Sequence, residues 1–142
     1  MKNTLIFFVS LLMVLSFYSC ASPSSNNVPT GALERLYKGE TDPIDPEIIT
    51  TLGMDELGKN SSQYLGSFVE TEGVIKTLCP VGCFFFMEDS SRTRFYVNMS
   101  PNNFDVPQAA LGERVRVMGI LEMRGTLLSI MAFEVEFLDV NS

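Results

Sequence analysis

Cys79 and Cys83, separated by Pro80-Val81-Gly82, are the pair whose type and spacing could do chemistry. Two thiols that close together can form a disulfide, work as a redox dithiol, or hold a soft metal ion. Three residues between them suit a tight hairpin corner. Pro80 has its φ already set for an early turn position, and Gly82 accepts the left-handed position that ends such a turn. On that reading Cys79 and Cys83 stand opposite each other across a ladder, within the Cα separation a disulfide spans. We expect a structural disulfide that staples the hairpin. So short a loop gains little closure entropy from the bond. The alternative is therefore thiol-redox chemistry or Cu(I) binding by the two sulfurs. Met87 would be its helper, since alternation puts Met87 on the same strand face as Cys83. Two thiols alone fall short of a tetrahedral zinc site. Otherwise no cofactor is expected.

A second group lies just downstream: Phe84 and Phe86, then Arg94 and Tyr96. Rings beside a guanidinium can stack on bases or sugars. The competing reading makes the phenylalanines core residues, or residues covered by another segment, and we expect that outcome. The chain carries 17 acidic against 10 basic side chains, a net charge of −7. Such a balance opposes a phosphate backbone, so a nucleic-acid partner is not expected. There is no histidine, which removes the commonest general base and excludes Ser-His-Asp and Cys-His sites within one chain. No phosphate loop, nucleophile elbow or carboxylate pair is evident. We expect no enzyme.

The elements that must position these groups read mostly as strands. Alternation and turn signals give five: about Phe68 to Leu78, Cys83 to Met87, Arg94 to Met99, Glu113 to Leu121, and Leu127 to Val140. Phe95, Val97 and Met99 should face inward, as should Val115 and Val117, and Phe133, Val135 and Phe137 opposite Glu134 and Glu136. Met87, Met99, Met118, Met123 and Met131 read as core fillers. Glycines inside strands, Gly73 and Gly119, mark sharp bends, within two segments that echo each other at 65–74 and 111–120. A short helical turn is expected around Pro107 to Ala110. Upstream, 33–61 is a lead-in with a helical turn at Leu33–Tyr37, another opening at Pro46, and a helix from Met54 ended by Gly58.

Residues 1–19 have the form of an export signal: Lys2, then an apolar run from Leu5 to Phe17 that is short for a membrane span. The segment ending at Ser19-Cys20 resembles a bacterial lipobox, which implies a lipid on Cys20. Cleavage after Ala21 is the alternative. Residues 20–32 would be the anchor and a polar tether. With Cys20 acylated, the two remaining cysteines are a matched pair in an oxidising compartment.

Five strands, a helical link after the third and glycines at the bends resemble the OB-fold, a five-stranded Greek-key barrel, over 62–140. More narrowly, Tyr64-Leu65-Gly66, Glu72-Gly73-Val74 and Cys79…Gly82-Cys83-Phe84 resemble small exported bacterial OB-fold domains of unknown function with a Gly-Cys-aromatic hairpin element. The resemblance implies a fold and an exported location. The expectation is an all-β barrel with minor helix, lipid-anchored and periplasm-facing in the bacterial cell envelope. It would be a non-catalytic binding module for a small ligand or an envelope protein.

Overall fold

A computed structural model of the chain describes residues 33–139. The export segment, Cys20, the tether and the end of the fifth strand at Val140 lie outside the described residues.

Seven strands form one sheet: β1 (Leu36–Lys38), β2 (Thr50–Thr51), β3 (Phe68–Leu78), β4 (Phe84–Glu88), β5 (Arg94–Asn98), β6 (Arg114–Arg124) and β7 (Leu127–Phe137). β3 pairs with β4, β4 with β5, β5 with β7, β7 with β6, and β6 returns to β3. That circuit is closed, and a closed sheet has no free edges within it. All its pairings are antiparallel except β5 with β7. This is the OB-fold expected from the strand pattern. β1 and β2 are short additions on β7 and β3.

Alternation builds the core. Phe85 and Met87, Phe95 and Val97, Val115 and Val117, and Val135 and Phe137 all point into the barrel and are buried. The two echoing segments are neighbours: β3 and β6 pair so that Val69 faces Gly119 and Gly73 faces Val115. Gly119 sits where β7 presses closest, since a Cβ there would lie 2.3 Å from the Met131 carbonyl oxygen. The register shifts at that point, from Met118 opposite Glu134 to Gly119 opposite Ala132. Phe133 is the extra residue of this bulge. It is therefore turned out of the core, against Phe68 with ring centroids 5.8 Å apart, and Ala132 and Ile130 point inward instead. The same shift turns Met131 outward; Met118 faces out by the alternation of β6 and Met123 lies at its exposed end, so only Met87 and Met99 of the five expected core methionines are in the core.

The lead-in differs from its expectation at its start. Leu36–Lys38 is a strand, because the edge of β7 offers unpaired backbone groups from Glu134 to Glu136. Pro46–Ile48 is a single 3-10 turn capped by the Asp45 side chain. Helix α1 (Met54–Lys59) runs through Gly58 and ends at Asn60, whose N–H donates to Glu56. Gly58 lets the helix approach Thr93, which a Cβ would meet at 3.1 Å. Met54 and Leu57, three residues apart on one helix face, are buried in the barrel core. Each such burial stabilises by about 1.5–3 kcal/mol. Helix α2 (Ser61–Tyr64) then delivers the chain to β3.

Two 3-10 turns, Ser100–Asn102 and Gln108–Ala110, link β5 to β6. The second sits where the helical link was expected. No described helix is long and apolar enough to cross a membrane.

Candidate functional site

β4 and β5 pair with Phe84 opposite Asn98, Phe86 opposite Tyr96, and Glu88 opposite Arg94. The inward positions of both strands are taken by core residues. Phe84, Phe86 and Tyr96 must therefore point outward, where they are half-buried. Phe84 and Tyr96 lie 5.1 Å apart between centroids, Phe86 and Tyr96 5.4 Å, and Phe84 and Phe86 6.3 Å. These are ordinary stacking and edge contacts. The three rings make a continuous outer platform. They are not core, and among the described residues the lead-in does not pair over them: it joins β7 through β1 and β3 through β2.

Arg94 lies over the edge of this platform, its Cζ 5.7 Å from the Phe86 ring centre, and is ion-paired with Glu88. A second guanidinium comes from the Arg124-Gly125 turn, which no sequence motif marks as a site. Arg124, at the end of β6, holds its Cζ 4.9 Å from the Tyr96 ring centre. No carboxylate pairs with Arg124 among the described residues. Phe86, Tyr96, Arg124 and Leu127 together line an open hollow of about 270 Å³. The β6–β7 hairpin thus completes the platform from the side. The available signal was the Arg124-Gly125 pair between two long strands: a loop at this end of an OB barrel flanks the binding face.

The cysteine corner sits at the near end of β4. Its pairing is offset by one residue from the expectation. Cys79 N–H donates to the Phe84 carbonyl at 2.9 Å, so Phe84 rather than Cys83 stands opposite Cys79. Gly82 N–H closes the turn on the Cys79 carbonyl at 2.8 Å, and Gly82 has φ +80°. The extra residue, Cys83, still turns its sulfur inward, and the two sulfurs lie unbonded 3.0 Å apart. The Cys83 thiol beside it, helped by backbone N–H groups of the turn, holds the Cys79 thiol below its ordinary value. Burial, then the neighbouring Cys79, pushes the Cys83 thiol up.

Met87 shares a strand face with Cys83 but lies four residues along it, about 13 Å at strand rise. It is fully buried in the core. It therefore cannot join the two sulfurs around one ion. Among the described residues no group of three or more Cys, Asp or Glu side chains converges for a metal.

Away from the platform, charged side chains form a ladder across the outer faces of β3, β6 and β7. Arg116 reaches Glu72 at 2.8 Å and Glu136 at 3.0 Å, Arg114 reaches Glu72 at 2.8 Å, and Arg35 reaches Glu136 at 2.9 Å. Glu134, read from sequence as solvated with Glu136, is likewise paired, with Lys38 at 2.9 Å. The Arg116 hydrogen bond, more than any other contact, holds the Glu72 carboxyl below the usual carboxylate range. A depressed carboxylate contributes stability above its unfolded pKa and loses it as pH falls through the folded one. The stability difference between wild type and Glu72→Gln is thus predicted to be largest near neutral pH and to vanish in acid. Because the pair is partly exposed, the difference stays at or below about 1 kcal/mol. Urea unfolding at several pH values measures it.

No protein-family model matches the chain, and no curated protein matches it. Solved structures do share its fold. A chain of the S. pombe Stn1–Ten1 complex aligns with a TM-score of 0.50 and 10% identity, over 70% of this chain and 86% of that one. The hypothetical protein YgiW from E. coli aligns with a TM-score of 0.43 and 15% identity, over 63% of this chain and 89% of that one. A putative aspartyl-tRNA synthetase from Leishmania major Friedlin gives 0.47 and 12% identity, over 71% of this chain but 23% of the synthetase. At 10% identity the first likeness is one of fold, and it agrees with the closed OB barrel described above.

Proposed function

We propose that this chain is a non-catalytic binding module of the bacterial cell envelope, tethered to a membrane through a lipid on Cys20. It would take a ring-bearing ligand on the outer face of β4 and β5. The observation that carries this reading is the outward-facing platform of Phe84, Phe86 and Tyr96 with Arg124 beside it. Three adjacent half-buried rings on the outer face of a sheet offer one apolar surface on which a flat ligand can pack. OB barrels use this same face and the neighbouring loops for oligonucleotides and oligosaccharides.

Between those two ligand classes, charge favours sugar. The whole chain is at −7, and of the two arginines at the platform one is already neutralised by Glu88. A phosphate backbone would find little to replace its counterions. Sugar rings instead stack their apolar faces on aromatic side chains, and Arg124 can donate to hydroxyl or carboxylate oxygens. Calorimetric titration of the protein with an N-acetylglucosamine oligomer and, separately, with an oligothymidylate tests the choice. The reading predicts a Kd of about 1 mM or tighter for the sugar and much weaker binding of the oligonucleotide. Tight, salt-sensitive binding of the oligonucleotide would reverse the assignment. Mass spectrometry of the mature N-terminus tests the anchor: a diacylglyceryl-modified Cys20 supports it, and an unmodified N-terminus removes it.

A further inference from the structure

The cysteine corner carries an inference of its own, independent of what the platform binds. The corner is held in shape without a covalent link. Cys79 N–H bonds to Phe84, Gly82 N–H to the Cys79 carbonyl, Val106 N–H to the Gly82 carbonyl at 3.1 Å, and Met99 N–H to the Cys83 carbonyl at 3.0 Å. The Gln108 amide adds bonds to the carbonyls of Cys79 at 2.7 Å and Pro80 at 3.1 Å. These contacts reach the corner from β4 and from the β5–β6 link. None of them depends on a sulfur–sulfur bond, yet they leave the sulfurs 3.0 Å apart. Closing a disulfide from there requires a movement of about 1 Å. None of the backbone hydrogen bonds that hold the corner needs to break for that movement. A cross-link over so short a loop adds little to the fold. With Cys83 only half-buried, such a bond stays open to thiol exchange.

The two sulfurs are also unequal. Cys79 is buried, at 7% exposure, whereas Cys83 is only half-buried. An incoming thiolate reaches Cys83 first. The N–H groups of the turn and the neighbouring thiol stabilise negative charge on Cys79, and the better-stabilised thiolate leaves faster.

We propose that Cys79 and Cys83 form an exchangeable disulfide that oxidises thiols, entered through Cys83 with Cys79 as the leaving thiolate. A partner thiolate, RS⁻, attacks the Cys83 sulfur. The Cys79–Cys83 bond breaks, its electron pair goes to Cys79, and a mixed disulfide Cys83–S–S–R forms. A second thiolate attacks the R sulfur, and the electron pair of that bond goes to Cys83. RSSR is released, and the two protons of the original thiols end on Cys79 and Cys83. The net change moves two electrons from two thiols to the protein disulfide. In reverse, a disulfide reoxidises the pair, with the mixed disulfide again on Cys83 and Cys79 resolving it.

Glutathione is the probe, used on the full chain with peptide mapping to keep Cys20 separate. The wild-type pair is predicted to exchange between disulfide and dithiol as the ratio of oxidised to reduced glutathione is varied, with its circular dichroism unchanged. Cys79→Ser should trap a glutathione adduct on Cys83. Cys83→Ser should form an adduct on Cys79 at least tenfold more slowly. Should either variant fold poorly, the wild-type equilibrium still decides. A disulfide that glutathione leaves intact until urea unfolds the protein would overturn the proposal. So would adducts forming at equal rates on the two variants, or a pair that oxidised glutathione never closes.

Discussion

Replacing Gly82 with alanine is expected to cost about 3 kcal/mol of stability, read as a fall in Tm of roughly 10–25 °C. Two costs add. Gly82 holds φ +80°, where a side chain costs about 1–2 kcal/mol. A Cβ there would also lie 2.1 Å from the Val106 carbonyl oxygen, and at 3.1 and 3.2 Å from the same residue's carbonyl carbon and nitrogen. Those are backbone atoms and cannot swing aside. The β5–β6 link must then lift away, giving up the Val106 to Gly82 hydrogen bond, which is worth about 1 kcal/mol. It also disturbs Val106, which is buried in the core. Gly66 is the control. It has the same φ of +80° but open space where its Cβ would go, so Gly66→Ala should lose only the conformational part. Thermal unfolding of the two variants separates crowding from backbone preference. Equal losses would show that the clash at Val106 has no effect. The same substitution should spread the two sulfurs and slow glutathione exchange.

Tyr96→Ala carries the other large effect, on binding rather than on folding. Tyr96 is the centre of the platform, touching Phe84, Phe86 and the Arg124 guanidinium at once. Its loss removes a stacking surface and also leaves Arg124 without its ring. A stacked ring is worth about 1–3 kcal/mol, so affinity for the sugar oligomer should fall roughly tenfold to a hundredfold. Stability should change far less, because Tyr96 points away from the core that Phe95 and Val97 fill. Tyr96→Phe should keep most of the affinity, since the ring does the stacking. Calorimetry beside thermal unfolding reads both quantities. Unchanged affinity in Tyr96→Ala would remove the platform from the account.

The barrel strands were legible because their alternation is strict. Phe95-Tyr96-Val97 and Val115-Arg116-Val117 admit one inward face, and the glycines at 73 and 119 mark crowded crossings. Phe133 was misplaced because a bulge resets the alternation, and a bulge depends on which strand lies opposite. A helical turn is expected at Leu33–Tyr37 from the local pattern, and only the edge of β7 makes Leu36–Lys38 a strand. The platform illustrates the same limit. Phe84, Phe86, Arg94 and Tyr96 were named from sequence, but whether anything covered them depended on where the lead-in went. Arg124 and Leu127 could join them only once the barrel had closed. The two sulfurs lie near each other, unbonded at 3.0 Å, although their ladder partners differ by one from the expectation, because the turn chemistry of Pro80 and Gly82 is local.

The central claim is that the outer face of β4 and β5, completed by the β6–β7 hairpin, is where this protein meets its ligand. The most direct measurement is a ¹H–¹⁵N NMR titration of the labelled protein with the N-acetylglucosamine oligomer. The account predicts saturable shifts at Phe84, Phe86, Tyr96, Arg124 and Leu127, with the ladder around Glu72 and Arg116 unmoved. Shifts clustered on that ladder, or none anywhere at millimolar sugar, would contradict it.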